Sequence, residues 1–118
     1  AYTDMLGAYR TVSFEAGDNA VAMTQLGMSI LDYDASSWTL SYRVSAVNTL
    51  TNDVDVLATI WWRNGQGMVL TTSKPDATLV RASSSASIEG VFVMATALAE
   101  QLDPARTRME WTWRGVNP

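Results

Sequence analysis

A strict alternation of apolar and polar residues is the feature that most restricts how this chain can fold. From Trp38 to Ala46 the even positions are apolar and the odd positions are polar, and Met109, Trp111 and Trp113 alternate with polar residues in the same way. Because successive side chains of a β-strand point to opposite faces of its sheet, this period of two predicts antiparallel strands with one buried and one exposed face. The chain is therefore expected to be built around an antiparallel sheet.

The same alternation and the turn residues between runs predict the other strands. Extended segments are expected over 11–16, 20–26, 54–63 and 77–82. Gly17-Asp18-Asn19 predicts a hairpin turn between the first two of them. The Asn64-Gly65-Gln66-Gly67 stretch has two interpretations: it closes a tight hairpin, or it begins one long mobile loop over 64–76.

One segment departs from the period of two. Apolar residues at 88, 91, 92, 95, 98, 99 and 102 are spaced mainly three and four apart, which is typical of an amphipathic helix. A preceding serine would cap this helix, and Asp103-Pro104 would end it. The predicted fold class is α+β: an N-terminal hairpin and an antiparallel β-sheet, with one long amphipathic helix packed on one face and the whole completed in a dimer.

The length of 118 residues predicts a single domain. Its expected parts are an N-terminal hairpin region over 1–31, a central antiparallel sheet over 38–82, the helix over 87–103 and a last strand over 107–115. No apolar run approaches the ~18 residues that cross a bilayer, so we expect no membrane contact.

The absence of cysteine and histidine excludes several kinds of site. Without these residues the chain has no disulfide, no thiolate or Ser-His nucleophile, and no metal ligated by Cys or His. The net charge of −4 argues against binding nucleic acid through a generally basic surface. Seven of the eight basic residues are arginine, however, which favours bidentate contacts at a local cluster.

The acidic residues permit two kinds of site, each with a simpler alternative. Asp32-Tyr33-Asp34-Ala35-Ser36 resembles the start of a calcium loop, but a serine replaces its glycine and Arg43 replaces its last acid, which favours a solvated turn. Catalysis by Glu110 or Asp55 is weighed against ordinary ion pairs, such as Glu110 with Arg43 or Arg63, and the ion pairs are favoured. We expect no metal, no cofactor and no small-molecule substrate.

Two adjacent tryptophans must point to opposite faces of the strand over 54–63. Trp62 shares its parity with apolar residues and is expected in the core. Trp61 shares its parity with Thr59 and Arg63 on a polar face. An aromatic ring beside arginine and hydroxyl groups suits stacking on unpaired bases, and equally suits an interface between copies of the chain.

Three stretches of the sequence together resemble the coat proteins of single-stranded RNA bacteriophages, the leviviruses. SWTLSYRVSAVNTLTNDVDVLATIWWRN resembles their central strand pair, NGQGMVLTTSKPD stands where they carry a flexible loop, and ATLVRASSSASIEGVFVMATALAEQL resembles their last sheet strand and long helix. The resemblance implies an intimate homodimer, an icosahedral shell of such dimers, and a genomic RNA hairpin bound on the inward sheet face.

Carried over by position, the resemblance assigns three groups of residues. The RNA-binding group is Thr39, Ser41, Arg43, Ser45, Thr59, Trp61, Arg63 and Arg81. The dimer and core-packing group is Val91, Phe92, Ala95, Leu98, Trp62 and Trp38. The inter-subunit loop is Asn64, Gly65, Gln66 and Gly67.

The function expected from the residues and the resemblance together is that of a non-enzymatic coat protein of a virion, assembled from copies of itself in the host cytoplasm. Two alternatives belong to other classes. One is a capsid decoration or surface β-module that binds only protein, and the other is a small α+β enzyme or ligand-binding protein that uses a carboxylate.

Overall fold

Two antiparallel β-sheets packed face to face form the architecture of this protein. The structure, a computed structural model, describes residues 10–12, 21–23 and 26–116. In these residues its strands are β1 (Arg10–Val12), β2 (Val21–Met23), β3 (Leu26–Tyr33), β4 (Ser37–Asn48), β5 (Val54–Arg63), β6 (Val69–Ser73), β7 (Thr78–Val80), β8 (Ser85–Ala95) and β9 (Arg108–Gly115). Between β8 and β9 lie a short helix, α1 (Thr96–Ala99), and a 3₁₀ helix (Pro104–Arg106).

Each sheet is organised around one long central strand. In the first sheet, called sheet A, β4 pairs with β2 and β3 along one edge and with β8 along the other, and β1 pairs with β3. In the second, sheet B, β5 pairs with β9 along one edge, while β6 and β7 pair with the two ends of its other edge. All of these pairs are antiparallel, as the alternating sequence predicted.

The core lies between the sheets and is filled by the even-numbered residues of both central strands. The buried residues contributed by β4 and β5 are Trp38, Leu40, Tyr42, Val44, Ala46, Val54, Val56, Ala58, Ile60 and Trp62. Trp38 and Trp62 are thus in the core, where their parity predicted them. The layer that covers each sheet is the other sheet, not a helix.

An aromatic cluster joins the two sheets. The rings of Trp62 in sheet B and Phe92 in sheet A stack with centroids 4.8 Å apart. Tyr42 of β4 lies 6.0 Å from the Trp62 ring and 6.1 Å from the Phe92 ring. Trp62 Nε1 donates a 2.8 Å hydrogen bond to Ser73 Oγ, so the buried indole keeps its N–H paired. Such ring pairs contribute about 0.5–1.5 kcal/mol each beyond the apolar area that they bury.

The prediction of a long amphipathic helix over 87–103 is wrong, and the predicted α+β fold class is wrong for the same reason. Ser85–Ala95 is strand β8, which pairs with β4 without a break in register, and helix α1 covers Thr96–Ala99 alone. Within the described residues, most of the chain is strand and no long helix is present. The protein is a β-sandwich.

The physical reason for this error is that two periods coincide in β8. Ile88, Phe92 and Met94 point into the core with the period of two of a strand, and Val91 and Val93 point outward on either side of Phe92. Because the exposed Val91 stands next to the inward Phe92, the apolar residues 88, 91 and 92 have the three- and four-residue spacing of a helix face. The β-branched residues and Gly90 disfavour a helix, and the long partner strand β4 decides the outcome.

The residues expected to form one helix face are consequently separated. Val91 and Ala95 lie on the outer face of sheet A, Phe92 packs against the core, and Leu98 lies in α1 with 40% of its surface exposed. They form no common packing surface. Their predicted contact with a second copy of the chain stays a prediction.

Four of the other predicted strands correspond closely to the structure, but the predicted N-terminal hairpin does not, because the described residues of its two strands pair elsewhere, β1 with β3 and β2 with β4. Strands expected over 38–46, 54–63, 77–82 and 107–115 are β4, β5, β7 and β9. The interpretation of 64–76 as one long loop is wrong, because 64–68 is a tight connection and β6 follows it. In this connection Asn64 Oδ1 accepts hydrogen bonds from the N–H groups of Gln66 and Met68. The predicted turn Gly17-Asp18-Asn19 lies outside the described residues.

Gly90 provides a test of how tightly β8 packs against β4. A Cβ at this position would overlap the ring and hydroxyl of Tyr42, the residue opposite Gly90 on β4. We expect Gly90→Ala to lower the free energy of unfolding by about 1–3 kcal/mol, because Tyr42 must shift within a packed core. Urea denaturation measures the change. Gly115→Ala is the matched control, since no atom lies within 4 Å of its Cβ position, and equal losses in both variants would contradict this explanation.

Candidate functional site

The residues expected to form one RNA-binding surface lie on opposite sides of the sandwich. Those on β4 occupy the outer face of sheet A: Thr39, Ser41, Arg43 and Ser45. Those on β5 occupy the outer face of sheet B: Thr59, Trp61 and Arg63. The chain crosses from one sheet to the other between Asn48 and Val54, so strands that follow each other in sequence are not neighbours in one sheet.

On sheet A, polar groups of this set bond to groups of the same chain. The hydroxyls of Ser29 and Ser41 are 2.8 Å apart, and both residues are buried. Arg43 Nε lies 3.2 Å from Glu89 Oε1, and Arg43 Nη2 donates to Ser87 Oγ at 3.4 Å. The Glu89 carboxylate reduces the attraction of Arg43 for a phosphate, so the sheet A half is the weaker nucleic-acid candidate.

Arg81 belongs to neither group of outer-face residues. It follows β7, which pairs with the end of β5 remote from Trp61. Arg81 Nη1 is 3.2 Å from Asp53 Oδ2, and Asp53 Oδ1 accepts a 2.9 Å hydrogen bond from the N–H of Ala82. This contact holds the turn after β7 to the connection between β4 and β5. The fold therefore gives Arg81 a structural ion pair.

On sheet B, Trp61 lies at the centre of a small polar surface. Its neighbours across the strand pairs are Thr72 on β6 and Arg108 on β9, and Thr59 and Arg63 flank it on β5. We call these five residues the Trp61 surface. Arg108 and Thr72 were not in the predicted set; the alternation of Arg108 with Met109 on the last strand was the signal that could have placed Arg108 on a polar face.

Arg63 is a cation of the Trp61 surface with a buried nitrogen, Nε, that has no hydrogen-bond partner in the described part of the chain. No carboxylate of the described residues forms an ion pair with it, whereas Arg43, Arg81, Arg106 and Arg114 each have one. A buried N–H without a hydrogen-bond partner costs free energy.

A second feature is the open edge of β8. The edge of this strand that faces away from β4 pairs with none of the strands described. A cavity of about 780 Å³ adjoins it, between 87–92 of β8 and the 72–78 segment that joins β6 to β7. Tyr42 and Phe92 line its inner side, and Lys74, Asp76 and Glu89 also border it. Partial burial raises the pKa of the Tyr42 hydroxyl, so this phenol stays protonated and can donate a hydrogen bond.

Exposed apolar side chains occur on both outer faces of the sandwich. On sheet A, Val91 and Val93 are 62% and 64% exposed, and Leu31 is also exposed. On sheet B, Leu57 and Leu79 are 51% and 42% exposed. Exposed apolar residues in clusters mark surfaces that bind other proteins more often than single ones do.

The acidic residues of the described part of the chain form no cluster suited to a metal ion. In residues 10–12, 21–23 and 26–116 no group of three or more His, Cys, Asp or Glu side chains could hold a metal ion. Asp55 lies 3.4 Å from Arg114, while Glu110 stands opposite Thr59. The expected partners of Glu110 are not its partners, because Arg43 pairs with Glu89 and no described carboxylate pairs with Arg63.

The segment that resembles a calcium loop is the turn between β3 and β4. Asp34 Oδ1 accepts hydrogen bonds from the backbone N–H groups of Ser36 and Ser37 and from the Ser36 hydroxyl. The N–H of Ser37, followed by the two Ser36 groups, holds the pKa of the Asp34 carboxyl below its usual value. This oxygen is thus occupied in closing the turn, in agreement with the favoured interpretation.

Comparisons with known proteins bear on the fold. No protein-family model matches the sequence, and no curated protein matches it. An X-ray structure of a Northeast Structural Genomics Consortium target is similar, with a TM-score of 0.51 and 10% identity over 65% of this chain and 64% of that chain. A β-glucuronidase from glycoside hydrolase family 2 has a TM-score of 0.54 and 8% identity over 59% of this chain and 7% of that chain.

The Bacteroides uniformis β-glucuronidase has a TM-score of 0.50 and 12% identity over 76% of this chain and 13% of that chain. This chain therefore spans less than two thirds of each of these proteins. At such identities the similarity shows the fold alone. Separately, none of the helices in the described segments is long and apolar enough to cross a membrane.

The two adjacent tryptophans provide a test of the two faces of β5. Trp62 is fully buried, so Trp62→Ala should lower the free energy of unfolding by about 3–5 kcal/mol through loss of buried surface and formation of a cavity. Trp61→Ala removes the same side chain from the outer face and should cost roughly 1 kcal/mol or less. Chemical denaturation of both variants measures the difference. Equal losses would contradict the assignment of the two rings to different faces.

Proposed function

We propose that this protein is a non-enzymatic structural subunit that assembles with copies of itself, and that the assembled form is the shell of a virion. The observation that supports self-assembly is the presence of exposed apolar residues on both outer faces of one sandwich. A subunit with one such surface forms a closed dimer when that surface binds its own copy. A second surface on the opposite side joins those dimers into larger assemblies.

The proposal of a shell comes from the sequence resemblance to phage coat proteins. The fold limits the kinds of contact that can join the subunits of such a shell. A subunit without a long helix cannot interlock with its partner by laying helices across the partner's sheet. The contacts between subunits must be made by sheet faces and strand edges instead. The proposal is therefore of a shell built from β-sandwiches.

The alternative of a surface module that binds only a different protein has the same surfaces available, and oligomeric state separates it from self-assembly. The enzyme alternative has less support. Asp55 is paired with Arg114, and Glu110 stands opposite Thr59 and not opposite a second acid. Neither acid is placed to exchange protons with a substrate in concert with the other.

Leu57 provides the test of assembly. Size-exclusion chromatography with light scattering, and electron microscopy, should show the unaltered chain in species larger than a dimer. Leu57→Asp should reduce their size without lowering the denaturation midpoint, because Leu57 is half exposed on the outer face of sheet B. Thr51→Asp adds the same charge in an exposed loop and is the matched control. A stable monomer of the unaltered chain at micromolar concentration would overturn the proposal.

A second part of the proposal is that the Trp61 surface contacts an RNA hairpin. Its support is the placement of an indole between Arg63 and Arg108, with threonine hydroxyls beside it. Indole rings stack on unpaired bases, and guanidinium groups bind phosphates and base edges. The contact is confined to sheet B, because the polar residues of β4 lie on the other side of the sandwich. Its local character is compatible with a net charge of −4.

The two arginines on opposite faces form a matched pair for testing RNA binding. Trp61→Ala should weaken binding of a single-stranded RNA hairpin roughly 5- to 150-fold, which corresponds to the loss of one stacked base. Arg63→Gln should weaken binding and lower the salt dependence by about one phosphate contact, and Arg43→Gln should change neither. Fluorescence anisotropy at several salt concentrations measures all three. An equal effect of the two arginine variants would contradict the assignment to sheet B.

A further inference from the structure

The edge of β8 lacks the features by which sheet edges are normally protected. This strand has eleven residues and pairs with β4 in continuous register from Ser85 to Ala95, without a bulge. It contains no proline and no lysine, and its single charged residue is Glu89. A long regular edge of this kind presents a row of backbone N–H and C=O groups to any extended chain that approaches it.

The edges of sheet B are protected by contrast. β9 carries the charges of Arg108, Glu110 and Arg114 within its eight residues. On the other side, β6 and β7 are short strands of five and three residues, and the segment between them contains Lys74 and Pro75. Charges, short strands and proline all oppose pairing with another strand. The open edge of β8 therefore differs from both edges of sheet B.

We infer that the open edge of β8 pairs with the same edge of a second copy, antiparallel across a two-fold axis near Val91, so that two copies of sheet A become one continuous sheet. This inference rests on the proposed self-assembly and identifies the contact that makes the dimer. Isologous pairing of identical strand edges is the simplest contact that a two-fold axis generates.

In this arrangement the side chains of β8 in one copy are complementary to those of β8 in the second copy. With the axis at Val91, residue 89 of one strand lies opposite residue 93 of the other, and the two Val91 side chains lie together. The exposed Val91 and Val93 of both copies would then bury each other on the outer face. The two Glu89 carboxylates do not face each other, and each is already paired with Arg43 of its own chain at 3.2 Å. Like charges directly opposite would have opposed the pairing.

The cavity beside β8 supports a second copy as the occupant of this edge. In the same register the second copy's Phe92 lies opposite Gly90, on the side of the sheet that faces the cavity. Its ring stays stacked on the Trp62 of its own copy and borders the cavity from the open side. The wall that the cavity lacks would be supplied by the second copy.

The absence of native cysteine makes this pairing directly testable, since each single-cysteine variant can form a disulfide with its own copy alone. We expect Val91→Cys to cross-link fastest under mild oxidation, because residues at the axis of an antiparallel pair have Cβ atoms about 4.5–5.5 Å apart. Glu89→Cys and Val93→Cys should cross-link more slowly. Thr51→Cys, in an exposed loop, measures collisional cross-linking, and non-reducing electrophoresis gives the rates.

A second variant tests the pairing without cysteine chemistry. Val91→Lys places a charge at the axis and should dissociate the dimer while the circular dichroism spectrum of the fold is retained, since Val91 is exposed. If the unaltered chain assembles but Val91→Cys cross-links no faster than Thr51→Cys, and Val91→Lys still assembles, the pairing is overturned and self-assembly stands. If the unaltered chain is a monomer, self-assembly and the pairing both fail.

Discussion

The stacking of Trp62 on Phe92 is the contact on which the rest of the sandwich depends. It joins the central strand of sheet B to the edge strand of sheet A, and Tyr42 joins the same cluster from the central strand of sheet A. The Trp62 indole is fully buried, and its bond to Ser73 removes the cost of burying a polar N–H. Because Tyr42 and Phe92 also line the cavity beside β8, the cluster that holds the sheets together shapes one wall of that cavity.

The sequence allowed the faces of the strands to be predicted, but not the sheets to which they belong. The alternation around Tyr42 and around Trp62 is a local property, and it correctly separated inward from outward residues on β4 and β5. Which strands pair is decided by contacts between distant segments. The crossing from sheet A to sheet B depends on Asn48, whose buried side chain donates to the carbonyls of Asn52, Val80 and Arg81. No local pattern indicates such a crossing.

The segment 85–95 shows why a correct periodicity can lead to a wrong element. Its apolar residues fit a helix and a strand, and intrinsic propensity favours the strand only weakly. The partner strand β4 settles the choice, because it offers a complete ladder of hydrogen bonds and the ring of Tyr42 above Gly90. The ion pair of Arg43 with Glu89 was not predicted for the same reason, since residue 89 fell within the helix predicted over 87–103. Of the predicted RNA-binding residues, the group around Trp61 stays together because it lies on one strand.

The pairing of β5 with β9 has a consequence for how the chain acquires its structure. Val54 pairs with Gly115 and Trp61 pairs with Arg108. Strand β5, near the middle of the sequence, therefore cannot complete this pairing before β9, near the end, has been made. The pairing of β4 with β8 is similarly distant. Closing such long loops costs chain entropy before any pairing compensates, which makes folding slow compared with a protein of local contacts. During synthesis both central strands expose an apolar face and an open edge until the last third of the chain has been made. Their nascent state is therefore the one most at risk of aggregation.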